Sequence, residues 1–181
     1  VTRMRILLSC LCLTLALLLG AVPAAWAELT VCSAGCDVPN IIDSDHTWKA
    51  GAYRVQEHIQ VRPGVKLTLE PGVTLQFTTH EMGLQVAGTL IARGTAEKPI
   101  TFTSDKATPA PGDWGTLLFL ETAIGASFDG EGNYVSGSLF EHCVVEYAGG
   151  GAAQGAIWVQ SPRAPFVYRS TIRNNGVSGM R

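Results

Sequence analysis

From residue 59 onward the chain alternates apolar and polar side chains in short bursts. Leu67 and Leu69 oppose Thr68 and Glu70, and Val73, Leu75 and Phe77 oppose Thr74, Gln76 and Thr78. A period of two belongs to a strand with one buried and one wet face. Bursts rich in Val, Ile, Thr, Leu and Phe predict strands at 59–62, 66–70, 73–78, 84–86, 89–92, 100–104, 116–120, 139–147, 156–160 and 166–173. Beyond residue 27, no stretch between consecutive glycines or prolines exceeds eleven residues, which argues against long helices.

Alternation alone fits a β-sandwich or a small antiparallel barrel equally well. Self-similarity narrows the choice. Gln60-Val61 recurs as Gln85-Val86 at offset 25, Gly64 as Gly88 at offset 24, and Leu67-Thr68-Leu69 as Leu90-Ile91-Ala92 at offset 23. The stretch 139–146 lies over 166–173 at offset 27, and Gly155-Ala156 recurs as Gly179-Met180 at offset 24. Polar stretches at 105–113 and 125–137 widen the gaps between repeats. A period of 23 to 27 residues, carried by short strands and no helix, is one turn of a β-solenoid whose rungs stack.

The same residues carry a family resemblance. The run Gly88-Thr89-Leu90-Ile91-Ala92-Arg93-Gly94-Thr95-Ala96-Glu97-Lys98-Pro99-Ile100-Thr101-Phe102-Thr103-Ser104, then Gly112-Asp113-Trp114-Gly115, resembles the opening rungs of secreted pectin-lyase-like proteins. Ala156-Ile157-Trp158-Val159 and Thr171-Ile172-Arg173-Asn174-Asn175-Gly176 resemble their later rungs. The resemblance implies a right-handed parallel β-helix over residues 46–181, behind an N-terminal capping segment at 28–45. It implies no activity, because lyases, hydrolases and adhesins share this repeat. The paired and tripled Asp motifs, Gly-His-Gly and Arg-Ile-Lys of the hydrolases are absent from the sequence, as is the Arg-x-Pro-x-x-Arg of the lyases. Ser161-Pro162-Arg163-Ala164-Pro165 reads as a proline-bounded turn. At about 25 residues per rung the chain holds about five turns, and the coil is expected to continue past Arg181 in a longer protein.

The N-terminal segment changes the composition that matters. Arg3 and Arg5 precede 22 uncharged residues, 6–27, broken by Gly20 and Pro23 and closed by Ala25-Trp26-Ala27. This pattern reads as a secretory leader cleaved after Ala27. The alternative is an uncleaved anchor, since the run approaches the length of a membrane span. Without the leader, 11 basic and 15 acidic residues leave a net charge of −4 on a secreted, periplasmic or cell-surface protein. A pI near 6.1 argues against nucleic acid as the main partner, and no later run approaches membrane length. In an oxidising compartment Cys32 and Cys36 are expected to form a disulfide, the alternative being a Cys-x3-Cys metal pair that lacks further ligands. Cys143, flanked by Phe140, Val144 and Val145, reads as a buried, inert thiol.

Candidate chemistry follows from the stacking. Offset 27 places Glu146 under Arg173 and His142 under Arg169, at a rung spacing of about 4.8 Å. With Cys143 and Val145 inward, all four would share one outer face. A carboxylate, an imidazole and two guanidinium groups together suit polysaccharide cleavage. An exposed ion-pair ladder explains the same residues. Asp129, Glu131 and Asn133 alternate as in a calcium loop, without its following glycine (Tyr134) or distal glutamate, so Ca2+ is the one cofactor to consider; the alternative is a flexible acidic loop between rungs. Trp48, Trp114, Trp158, Tyr53, Tyr134, Tyr147 and Tyr168 offer rings for sugar stacking, Trp114 being the best exposed candidate. Asn174 and Asn175 read as turn residues that begin amide bonding between rungs or occupy left-handed backbone. Together these features lead to an extracellular recognition protein for polysaccharides or cell-surface glycans. A lyase or hydrolase with its centre beyond residue 181, or a structural stalk, are the alternatives.

Overall fold

In the computed structural model, which describes residues 36–181, each alternating segment is a strand that pairs in parallel with its repeat one turn further on. The first rung comprises β1 (Cys36–Asp37), β2 (Ile41–Ile42) and β3 (His46–Trp48). The second comprises β4 (Gly51–Val55), β5 (Ile59–Val61) and β6 (Lys66–Leu69), and the third β7 (Val73–Phe77), β8 (Leu84–Val86) and β9 (Thr89–Arg93). In the fourth, β10 (Ile100–Ser104) and β11 (Leu117–Phe119) are followed by a hairpin of β12 (Ser127–Phe128) and β13 (Tyr134–Ser136) before β14 (Leu139–Glu141) closes the turn. The fifth holds β15 (Cys143–Glu146), β16 (Ile157–Val159) and β17 (Phe166–Tyr168), and β18 (Thr171–Arg173) starts a sixth. Three parallel sheets result, β1-β4-β7-β10-β15-β18, β2-β5-β8-β11-β16 and β3-β6-β9-β14-β17. The fold is a right-handed parallel β-helix.

The period of two sends alternate side chains into the coil, where parallel register stacks them. On the first sheet Tyr53, Leu75, Phe102, Val145 and Ile172 form one inward column. Val61, Val86, Phe119 and Val159 form another on the second sheet, and Leu69, Ala92, Phe140 and Val167 one on the third. Most of these residues are fully buried, and the columns make one continuous core. Its burial is the main term holding the coil together.

The sequence-based boundaries need four corrections. The segments 139–147 and 166–173 are each two strands, because His142 and Arg169, both at φ 49°, turn the chain from the third sheet to the first. No glycine or proline marks that corner; a left-handed L-residue makes it instead, at a strain of about 1–2 kcal/mol. Ile157 bridges Met180, so the last repeat runs at 23 and not 24. β1 and β2 already pair in parallel with β4 and β5, so the coil extends into the stretch assigned to a cap. The 125–137 stretch carries an antiparallel hairpin, with the acidic residues 129–133 as its connecting turn. Cys32 and the leader at 1–27 lie outside the described residues. Among the described residues, no helix is long and apolar enough to cross a membrane.

Close backbone approach explains one recurrent glycine. A Cβ at Gly88, between β8 and β9, would run into the carbonyl oxygens of Val65 and Arg62 on the rung before. Asn175 takes the role expected of it. Its Nδ2 donates to the Val145 carbonyl at 3.2 Å and its Oδ1 accepts from Ala148 N–H at 2.8 Å, while Asn174 sits at φ 54°.

Candidate functional site

Glu146 and Arg173 meet as the repeat predicts. They are register partners on β15 and β18, and Arg173 Nε donates to Glu146 Oε2 at 2.9 Å. Thr103 Oγ1, one rung earlier, donates to Glu146 Oε1 at 3.2 Å. The Arg54, Gln76 and Thr103 positions continue this outward row, and Arg54 pairs with Asp105 at 3.1 Å. Each charge in the row has a partner, and no open gap separates an acid from a base. His142 and Arg169 stand at the other end of the strand. His142 lies at the corner that precedes β15, and the strand from Cys143 to Glu146 alone spans about 10 Å. The structure therefore pairs Glu146 with Arg173 and leaves His142 and Arg169 apart from them at the corner, so the four do not form one cluster.

Around the His142–Arg169 corner, aromatic groups gather that are far apart in sequence. The hairpin turn is set by Asp129, whose Oδ1 accepts from the N–H groups of Glu131 at 3.0 Å and Asn133 at 2.8 Å. Its Oδ2 accepts from Asn133 Nδ2 at 3.0 Å. These hydrogen bonds, led by the Asn133 side chain, hold the Asp129 carboxyl below the usual carboxylate range. The three residues proposed as calcium ligands thus form a turn whose donors already engage Asp129. Among the described residues, no group of three or more His, Cys, Asp or Glu side chains is placed to hold a metal.

The turn delivers Phe128 and Tyr134 onto the outer face of the third sheet. Tyr134 stacks on Phe166 at 6.1 Å and 16°, and Phe166 stacks on Tyr168 at 5.6 Å and 14°. Phe128 stands edge-on to Phe166 at 5.2 Å and 88°. The near-parallel column ends in two cations: Arg93 lies 5.7 Å from the Tyr134 ring centre and Arg169 4.9 Å from that of Tyr168. Arg93 is also paired to Glu141 at 3.0 Å, whereas no ion pair involves Arg169 among the described residues. Tyr134 donates its hydroxyl to the Gly137 carbonyl at 2.6 Å, and burial raises its pKa in spite of nearby Arg93. Phe128 and Tyr168 remain 47% and 41% exposed, which leaves apolar ring surface in water beside guanidinium donors.

Two expectations for aromatic residues change. Trp114 is not exposed: it is fully buried, stacked on Phe77 at 4.2 Å, with its indole N–H donating to the Glu146 carbonyl at 2.8 Å. Its neighbour Asp113 faces inward too, accepting from Ser104 Oγ at 2.8 Å, Lys106 Nζ at 2.6 Å and Ala110 N–H at 2.9 Å. Gly-Asp-Trp-Gly is therefore the anchor of the 105–113 loop. Phe128, Phe166 and Arg93 were not among the expected site residues. Phe128 and Tyr134 flank a Gly- and Asn-containing turn, which was the available hairpin signal.

Comparison with known proteins agrees with this architecture. Residues 40–154 match the family model described as "Pectate-lyase like beta helix domain". Over 67 residues, 37% of this chain, the sequence is 43% identical to "Protein bark beetle" of Drosophila melanogaster, and the match spans 2% of that protein's length. No solved structure matches. With parallel rungs stacked through the matched region and beyond it, the chain belongs to the pectate-lyase-like β-helix family.

Proposed function

We propose that this β-helix is an extracellular recognition module that binds glycans on the surface formed by its inserted hairpin and fifth rung. One observation carries the reading: Tyr134, Phe166 and Tyr168 form an aromatic column, half-buried at Tyr134 and Phe166 and exposed at Tyr168, flanked by Arg93 and Arg169. Aromatic rings bury the C–H faces of sugars, and guanidinium groups donate to their hydroxyls. The leader read at 1–27 would place the module outside the cytoplasm, where such polymers are found. A regular polymer lying lengthwise on rung-spaced aromatics is not the arrangement favoured, because the rings cluster at one point of the coil.

Screening the chain against immobilised plant, bacterial and animal glycans tests the proposal. Binding to at least one glycan class is expected, weakened about tenfold by Tyr168→Ala. Absence of binding, or full binding by the Tyr168→Ala variant, would overturn it. Release of reducing or unsaturated sugars during the same incubation would favour a lyase or hydrolase.

A further inference from the structure

Ring faces in the aromatic column are nearly all taken. Phe166 is stacked with both Tyr134 and Tyr168. Tyr134 stacks on Phe166 and has Arg93 over its ring, and Glu141 pins Arg93 in place. Tyr168 differs. Phe166 stacks on its ring, and the face turned to Arg169 is covered only by that side chain, which is exposed and has no ion pair among the described residues. A cation–π contact in water is weak and readily exchanged. Phe128 is also exposed, but among the described residues no charged group stands over it to fix a ligand's orientation.

We infer that the surface takes a single sugar ring, stacked on the face of Tyr168 that Arg169 covers, with the Arg169 guanidinium displaced from that face and donating to the sugar's hydroxyls. This deepens the glycan reading above and rests on it. The ligand class is a hexopyranose with one unbroken C–H face, because only such a ring lies flat on an aromatic face. Arg169 leaves the ring without a broken ion pair, and its left-handed backbone, φ 49°, keeps it at the corner beside the ligand. One available face means one stacked ring, whatever the length of the glycan.

The test is a calorimetric titration of the full chain with a mono- to hexasaccharide series of the glycan class that the screen identifies. Affinity should be flat across the series to within about threefold, fall about tenfold in Tyr168→Ala, and return in Tyr168→Phe. Arg169→Ala should lose affinity about threefold to tenfold, while Arg173→Ala, on the first sheet, should not. Affinity that climbs with each added residue, or that survives Tyr168→Ala, would overturn the single-ring site while leaving glycan binding intact. Failure of every oligosaccharide to bind would instead remove the glycan reading itself.

Discussion

Tyr134 and Phe166 lie 6.1 Å apart with their rings 16° from parallel, although 32 residues separate them in the chain. Rung stacking does not produce this contact; an inserted hairpin does, by reaching from the fourth rung over the third sheet. The surface is thus an addition to the coil. Tyr134→Ala should loosen the hairpin by about 1–2 kcal/mol and leave the coil's melting unchanged. Faster amide exchange confined to 127–136 is the expected record, and faster exchange through the core strands would argue against a separable hairpin.

Trp114 is a core residue, and its substitution tests that reassignment. Trp114→Ala removes the stack on Phe77 and the hydrogen bond to the Glu146 carbonyl. A loss of about 3–5 kcal/mol is expected in denaturant melts. Where the variant remains folded, glycan affinity should be unchanged.

The coil was legible in the sequence because its determinants are local and repeated. Offsets of 25, 23 and 27 became the registers Gln60–Gln85, Leu67–Leu90 and Glu146–Arg173. The corners at His142 and Arg169 carried a fainter signal. Phe140 and Cys143 both face inward with two outward residues between them, so the phase slips without any glycine or proline. The aromatic surface was half legible. Tyr134 and Tyr168 stood among the stacking candidates, but their meeting depends on how the hairpin folds back, which no spacing encodes. Trp114 was misassigned because flanking glycines suggested an exposed turn, whereas Gly115 lets the backbone pass close to the carbonyls of Glu81 and Met82.

Acid should loosen the 105–113 loop. Burial acts to raise the Asp113 pKa, but the Lys106 ammonium, the Ala110 amide and the Ser104 hydroxyl together hold it below its ordinary value. A lowered folded-state pKa stabilises the fold above the unfolded value, and the gain is lost as pH falls through the folded one. Melting temperature should therefore drop in acid, in and below the ordinary carboxylate range. Asp113→Asn should cost about 1–2 kcal/mol at neutral pH and flatten that acid limb. An unchanged limb would exclude Asp113 as its source.

Alkali should act through Cys143. Burial pushes its thiol pKa up to about 12, and Sγ donates to the Ala92 carbonyl at 3.4 Å. Because the unfolded chain ionises this thiol first, the associated stability is complete below the usual thiol range and declines as pH rises toward that folded value. Cys143→Ala should remove this alkaline dependence, and the native thiol should resist alkylation at neutral pH. Rapid labelling without unfolding would contradict the burial.

The Glu146–Arg173 pair should matter little. Arg173 is 58% exposed, so Arg173→Ala is expected to cost under about 1 kcal/mol and to leave glycan binding as it was. That variant also serves as the comparator for the measurement closest to the central claim. Titrating a glycan identified in the screen into the parent chain, Tyr168→Ala and Arg173→Ala in parallel places the site on one sheet or the other. Loss of about tenfold in affinity with Tyr168→Ala, beside parental affinity with Arg173→Ala, is the predicted result. The reverse pattern would contradict the account and move the site to the ion-pair ladder of the first sheet.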